Sequence, residues 1–145
     1  MQISSRFTIA VHVLLCIETF QEKQKVTSEF LAASVNVNPV VIRRLLQQLK
    51  KAGLVRVMRG SGGAAIDKPI DKLTLLDVYR AVACVEEDTL FHFHENPNPL
   101  CPIGKNIHAI LDVQLDKIQK AMEQEMQSVT IQDLIKNFSN TISES

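Results

Sequence analysis

The side chains best suited to chemistry in this sequence are basic and amide groups gathered on one face of a short helix. In the run PVVIRRLLQQLKK, Arg43, Arg44, Gln47, Gln48, Lys50 and Lys51 fall opposite Ile42, Leu45, Leu46 and Leu49. The four apolar residues recur at i, i+3, i+4 and i+7 and make one stripe for a core. The polar face carries what reads a DNA duplex. Arg and Lys take guanine edges or phosphates, Gln takes adenine, and Val40 near the helix start suits a thymine methyl. A helix of about 14 residues spans about 21 Å, long enough to lie in a major groove. The plain alternative for such a charge run is a solvated face with no ligand.

The neighbouring elements present that face. Thr27 or Ser28 can cap a preceding helix that buries Phe30, Leu31 and Ala33, and Val35, Asn36 and Val37 form the turn that follows it. Asn38 is the next N-cap and Pro39 takes the first helical position, where its missing N–H costs nothing. The helix N-terminus offers N–H groups to a phosphate, and Gly53 ends the helix as a left-handed cap. Residues 54 to 59 then read as a strand, residues 60 to 63 as a glycine-rich turn, and Ala64 to Ile66 as the returning strand. Such a basic hairpin can enter a minor groove or track a backbone. Two helices, a tight turn and a hairpin in this order are the plan of a winged helix-turn-helix.

Charge supports that reading. The 145 residues are neutral overall, but residues 1 to 69 hold ten Lys and Arg against four acids, a net of +6, and the remainder carries −6. The half with the helix-turn-helix pattern is therefore the basic half, as a nucleic-acid footprint requires. The apolar stretch from Phe7 to Ile17 reads as a first core helix capped by Ser4 or Ser5, not as a signal peptide. His12 interrupts it, and Glu18 begins a polar run. No run approaches the roughly 18 to 20 apolar residues of a membrane span. Three cysteines, an odd number without regular spacing, fit a reducing cytoplasm. Catalysis finds no support: Gly60 to Gly63 lacks the Lys-Ser/Thr of a phosphate loop and opens no helix.

In the second half, Thr74 and Asp77 have capping-box spacing at the head of LTLLDVYRAVAC, with Leu75, Leu76, Val78, Tyr79, Val82 and Ala83 on its buried side. The stretch from Glu86 to Leu100 dissolves into a proline-bearing loop, the kind of place where sensing sites lie. From Cys101 and Pro102 a helix of about six turns follows, with Ile103, Ile107, Ile110, Leu111, Ile118, Met122 and Met126 along it. This stripe is longer than a small domain can cover, and the same helix of a second subunit is the economical partner. A helix folded back over its own domain is the alternative. Thr130, with Asp133 three residues on, starts a closing helix to Phe138, and disorder is expected only from Asn140 to Ser145. His92, His94, Cys101 and His108 are weak metal candidates; loop histidines beside a semi-buried thiol are the ordinary reading, so no metal is expected. Cys101 is a possible redox sensor, because the start of a long helix favours a thiolate. Cys16 in the first helix reads as a buried, inert thiol.

The run KKAGLVRVMRGSGG, then LTLLDVYRAVA, then CPIGKNI, resembles the IscR, NsrR and CymR group, the Rrf-two family of winged-helix regulators, nearest its small YwnA-type members. The resemblance spans nearly the whole chain. It implies a fold that is mainly α with a small β-hairpin wing, a winged helix-turn-helix domain plus a long C-terminal dimerisation helix. In these terms residues 1–85 are the DNA-binding domain, with helix-turn-helix 28–52 and wing 54–66. Residues 86–102 are a sensor-type loop, and 103–138 hold the dimerisation helix and the closing helix. The implied function is a homodimeric repressor on an inverted-repeat operator in double-stranded DNA, with Arg43, Arg44, Gln47 and Val40 at the groove. Thr27, Ser28, Asn38, Pro39, Lys50, Arg59 and Ser61 would mainly hold backbone. An unknown small ligand or partner protein can supply the signal, and the competing function is a winged-helix adaptor that binds a protein such as a biosynthetic enzyme.

Several members of the family hold an iron–sulfur cluster in the loop through three cysteines. Here only Cys101 falls at such a position; Thr89 and Glu95 stand where the others would, and Gly104 and Lys105 stand where a histidine ligand would follow. Cys84 lies in the preceding helix. No cofactor is therefore expected. The wing departs too: either Ala64 and Ala65 stand where the family has a third glycine and a tyrosine, or one position is deleted.

Overall fold

Capping residues fix where the chain turns. The computed structural model describes residues 4–60, 62–82, 91 and 94–144, with side-chain detail ending at residue 142. Within them run α1 (Arg6–Phe20), α2 (Ser28–Val35), α3 (Pro39–Lys51), a hairpin of β1 (Val55–Val57) and β2 (Ala64–Ile66), α4 (Leu75–Ala81), α5 (Pro102–Ser128) and α6 (Ile131–Glu144). The fold is thus mainly α with a small antiparallel hairpin, paired Val55 to Ile66, Arg56 to Ala65 and Val57 to Ala64.

At α1 the capping hydroxyl is that of Ser4, which accepts from the Arg6 N–H at 3.2 Å, while Ser5 makes no side-chain cap bond. Thr27 Oγ1 accepts from the Phe30 N–H at 3.1 Å, and Asn38 Oδ1 accepts from the Val40 N–H at 2.9 Å. Between these two caps Asn36 takes a left-handed φ of 65°, which its short polar side chain tolerates. The α3 terminus is a Schellman motif: the Gly53 N–H donates to Lys50 O and the Leu54 N–H to Leu49 O, both at 2.9 Å, with Gly53 at φ 79°. Leu49 and Leu54 are both buried beneath it.

α1 is the centre of the packing, in contact with α2, β2, α4 and α6. Its Leu14 and Ile17 join Leu31, the whole α3 stripe of Ile42, Leu45, Leu46 and Leu49, and Leu73, Tyr79 and Ile131 in one buried cluster. Phe7 meets Tyr79 edge-on at 6.4 Å between ring centroids, and Phe20 meets Phe30 at 5.2 Å. In α2 the buried small residue is Ala32, while the expected Ala33 is exposed. At 100° per residue the face shared with Leu31 takes position 32 and turns position 33 to solvent. Phe30 and Leu75 are half-buried.

The C-terminal elements differ most from expectation. α5 has 27 residues, about 40 Å, and none of them is buried. α6 does not close at Phe138 but continues to Glu144 through the stretch expected to be disordered. Ile131, Leu134, Ile135, Phe138 and Ile142 keep helical spacing along it, so one apolar face carries the helix past Asn140. Its start is pinned to the start of α4: the Leu75 N–H donates to Val129 O and the Ile131 N–H to Leu73 O, both at 2.9 Å. Each of the two helices opens with a capping box, Thr74 with Asp77 and Thr130 with Asp133. Ala83 and Cys84 lie outside the described residues, as does residues 83–90 of the loop. None of the described helices is long and apolar enough to cross a membrane.

The α4 box also has an electrostatic member. Burial works against the charge of Asp77, but the Lys68 ammonium at 2.8 Å and the Thr74 N–H at 3.1 Å outweigh it and hold the carboxyl below its ordinary 3.8. A depressed carboxylate stabilises fully above its unfolded value, and that contribution disappears as pH falls through the lower folded value. Asp77→Ala should cost about 1 kcal/mol near neutral pH, about 2 to 4 °C in Tm. The gap between thermal melts of variant and parent should begin to close below pH 3.8 and vanish only once pH has passed through the lower folded value; a gap that persists well below that value would rule out the ionised carboxylate as the cause.

Candidate nucleic-acid interface

The wing stands beside the helix pair because the backbone of Val26 holds it there. The Ala64 N–H donates to Val26 O at 2.9 Å, so the buried Val26, just before α2, lies against the start of β2. Gly63 makes this approach possible: its φ is 82°, and a Cβ there would meet Val26 N at 2.8 Å. On the other side, Gln21 Oε1 accepts from the Ile66 N–H at 2.9 Å and ties β2 to the end of α1. Met58 N–H to Gly63 O, at 2.9 Å, closes the base of the hairpin tip.

This leaves a cleft of about 330 Å³ whose walls come from three elements: Thr27, Ser28 and Glu29 at the start of α2, Arg43 and Gln47 on α3, and Met58, Gly60 and Gly63 in the wing. The first turn of α2 presents the positive end of its dipole there. Of the residues predicted to meet DNA, the structure gathers Thr27, Ser28, Arg43 and Gln47 around this cleft. Val40 and Arg44 are exposed on the same face of α3, and Asn38 and the half-buried Pro39 form its N-terminal end. Lys50 is exposed just under a turn beyond Gln47, and Arg59 is exposed beside the tip. Ser61 lies outside the described residues.

Sequence reasoning missed Glu29. It is the one acidic residue between positions 27 and 66, and that oddity was the available signal. Its Oε1 accepts from Arg43 Nη2 at 3.0 Å, across fourteen positions of sequence that carry no periodic hint of contact. Its own backbone N–H and then Arg43 hold its carboxyl below the usual carboxylate value. Both partners remain more than half exposed, so the pair is cheap to open. Glu29 therefore holds the guanidinium at the cleft by a contact that costs little to break.

Among the described residues the candidate sensor and metal side chains do not converge. Cys101 is exposed as the N-cap of α5, with no side-chain cap bond. His108 stands two helical turns further on, about 10 Å along the axis, beside Asp112 Oδ2 at 3.4 Å. His94 is exposed, and His92 lies outside the described residues. Among the described residues no three His, Cys, Asp or Glu side chains come together as a metal site.

A helix pair with a basic reading face, joined to a glycine-tipped hairpin, defines a winged helix-turn-helix regulator of transcription that binds DNA and is not an enzyme. The chain belongs to the Rrf2 family, described as iron-dependent transcriptional regulators, whose profile matches residues 3–137. It is 44% identical over 136 residues to YwnA of Bacillus subtilis (strain 168), covering 94% of this chain and 98% of YwnA, whose assignment as an HTH-type transcriptional regulator is itself provisional. A crystal structure provisionally described as a DNA-binding protein is 38% identical, superposes with a TM-score of 0.72, and covers 90% of this chain and 99% of its own. CymR, the global cysteine regulator of B. subtilis, shares the fold at 20% identity and a TM-score of 0.69, over 94% of this chain and 97% of CymR. Of the three loop positions at which several members of the family carry cluster-binding cysteines, only Cys101 bears a thiol here. Cys101 is followed by Gly104 and Lys105, Glu95 is an exposed carboxylate, and Thr89 lies outside the described residues.

Replacing Glu29 tests its role. Glu29→Gln removes one negative charge from a surface that meets phosphates, worth about 1 kcal/mol at contact in water. Binding to random duplex should tighten about fivefold, and discrimination between preferred and random sequence should fall. Unchanged affinity for random DNA in a fluorescence anisotropy titration would remove Glu29 from the interface.

Proposed function

We propose that the protein is a homodimeric repressor of an inverted-repeat operator, acting in the cytoplasm without an iron–sulfur cluster. The observation that carries the DNA reading is the cleft where Arg43 and Gln47 face the start of α2 and the wing. Arg43, Arg44, Gln47 and Val40 read bases, while Thr27, Ser28, Asn38, Lys50, Arg59 and Ser61 hold the backbone. The dimer is supported by α5, along which Ile103, Ile110, Val113 and Ile118 are each more than half exposed. A second copy laid along this stripe would bury it and set two reading heads about one helical turn apart or a multiple of it. Residues 1–85 then act as the reading domain, 86–102 as the sensing loop and 103–138 as the pairing region.

Once a site has been selected from genomic fragments, one set of titrations tests reading and pairing together. Lys50→Ala should weaken operator and random duplex alike and lower the salt slope by about 1. Arg43→Ala and Gln47→Ala should lose about 1 to 3 kcal/mol more on the operator than on random duplex. Ile110→Glu with Ile118→Glu should sediment as a monomer and lose about a hundredfold on the full inverted repeat but little on a half-site. Equal losses on both DNAs for every α3 variant would sink the assignment of base readers, and a dimer in the α5 variant would sink the interface.

Cys101 is the point of control in this reading, supported by its exposure and its place at the positive end of α5. The cluster-free reading rests on the three loop positions, of which only one bears a thiol. Anaerobically purified protein should carry substoichiometric iron and acid-labile sulfide, and hydrogen peroxide should weaken operator binding by the parent but not by Cys101→Ser. Stoichiometric iron and sulfide would overturn the first statement, and an equal peroxide response in the variant the second.

A further inference from the structure

A second cavity, of about 560 Å³, shares no lining residue with the DNA-facing cleft. Val11, Leu15 and Phe20 of α1 and Ile135 and Phe138 of α6 give it apolar walls. Two of its hydroxyls are spent on α1 itself, Thr8 Oγ1 donating to Ser5 O at 3.0 Å and Thr19 Oγ1 to Leu15 O at 2.7 Å. The remaining polar groups form a chain. His12 Nε2 lies 3.0 Å from Ser34 Oγ, and Cys16 Sγ lies 3.3 Å from the same oxygen. His12 and Cys16 are one turn apart on α1, so both reach the single hydroxyl that α2 presents. An apolar slot of this size with one polar end is what a small, mostly hydrophobic ligand fills.

We propose that this cavity binds a small apolar α,β-unsaturated carbonyl compound and that Cys16 adds to it covalently. With Nε2 of His12 unprotonated, the Cys16 thiol donates to Ser34 Oγ while the Ser34 hydroxyl donates to His12. The thiol proton is passed along this chain, leaving sulfur as the nucleophile and His12 as the imidazolium. A bond forms between Sγ and the β-carbon, and the C=C π pair moves toward the carbonyl oxygen. The resulting enolate takes the proton back from His12 at its α-carbon. The product is a thioether, and no external oxidant or reductant is needed. Helical spacing reads Cys16 as inert core, but the neighbours that α2 supplies give its proton somewhere to go.

The adduct reports to the reading head. It removes the Cys16 to Ser34 bond and places new atoms beside the last turn of α2, two residues before Asn36 opens the turn into α3 at φ 65°. The recognition helix then loses its fixed place against α2, its main packing partner, and DNA affinity falls. The control of DNA binding rests on the regulator reading given above, whereas the covalent step does not.

The probe is phenyl vinyl ketone, with iodoacetamide as the comparison and peptide mapping by mass spectrometry on the full-length protein. Phenyl vinyl ketone should label Cys16 ahead of Cys101, although Cys16 is only 8% exposed, and iodoacetamide should label Cys101 first. His12→Gln can keep a hydrogen bond to Ser34 but is a poor proton acceptor. It should slow the Cys16 adduct by at least about tenfold while leaving Cys101 labelling and the thermal midpoint in place. Complete Cys16 labelling should weaken DNA binding by about tenfold, a response that Cys16→Ser loses. A first ketone adduct at Cys101 or Cys84, or an unchanged rate in His12→Gln, overturns the site. Full Cys16 labelling with unaltered DNA affinity overturns its coupling to the reading head and leaves the chemistry standing.

Discussion

The cleft between the helix pair and the wing depends on one backbone approach. Val26 lies between α1 and α2, is buried, and accepts the Ala64 N–H at 2.9 Å. Through this bond the wing is aligned with the helix pair, and the contact is close enough that only a residue without a Cβ, Gly63 at φ 82°, passes beside it. The two strands are three residues each, too short for an isolated hairpin to be stable in water. Val26 on one side and Gln21 on the other supply what the hairpin lacks. The cleft between α2, α3 and the wing is therefore a product of tertiary anchoring, and every side chain that lines it inherits its position from that anchoring.

Much of this was legible because the sequence states local rules strongly. Thr27, Asn38 with Pro39, Thr74 with Asp77 and Gly53 each satisfy orphan backbone groups at a helix end, and their effect depends only on residues within one turn. The α3 stripe of Ile42, Leu45, Leu46 and Leu49 is equally local, and all four are buried. Features that need two distant segments left no trace. The Glu29 to Arg43 pair spans fourteen positions and Val26 to Gly63 thirty-seven, and no periodicity encodes either. Ala32 and Ala33 could not be told apart because alanine is equally at home on either face. The extension of α6 to Glu144 was hidden by polar residues at its end, Ser139, Asn140 and Thr141, which favour caps and turns unless an apolar face on the same helix outweighs them.

The family frame explains the division of labour along the chain. The basic half carries the reading face, and the acidic half carries α5 with its unburied apolar stripe. The two halves are nevertheless mechanically joined. Ile131 is fully buried in the same cluster as the α3 stripe, and Met122, Met126, Leu134 and Ile135 pack against that cluster. The antiparallel bridge between Thr74 and Thr130 fastens α6 to α4 at the point where both helices are capped. A displacement of α5 is therefore felt by the core that seats α3.

That arrangement also constrains how such a regulator can be switched. The α3 stripe and α1 are locked by fully buried side chains, whose removal costs about 2 to 5 kcal/mol each and would unseat the fold instead of switching it. A signal must act on contacts that are cheaper than the core yet still fix the helix pair. The exposed Glu29 to Arg43 bridge meets that description on the DNA side, and the polar link from α1 to Ser34 of α2 meets it on the opposite side. Both are polar contacts made by α2, Glu29 with Arg43 of α3 and Ser34 with His12 and Cys16 of α1. The helix pair is thus joined both by a rigid apolar core and by polar contacts that α2 makes to each of its neighbours.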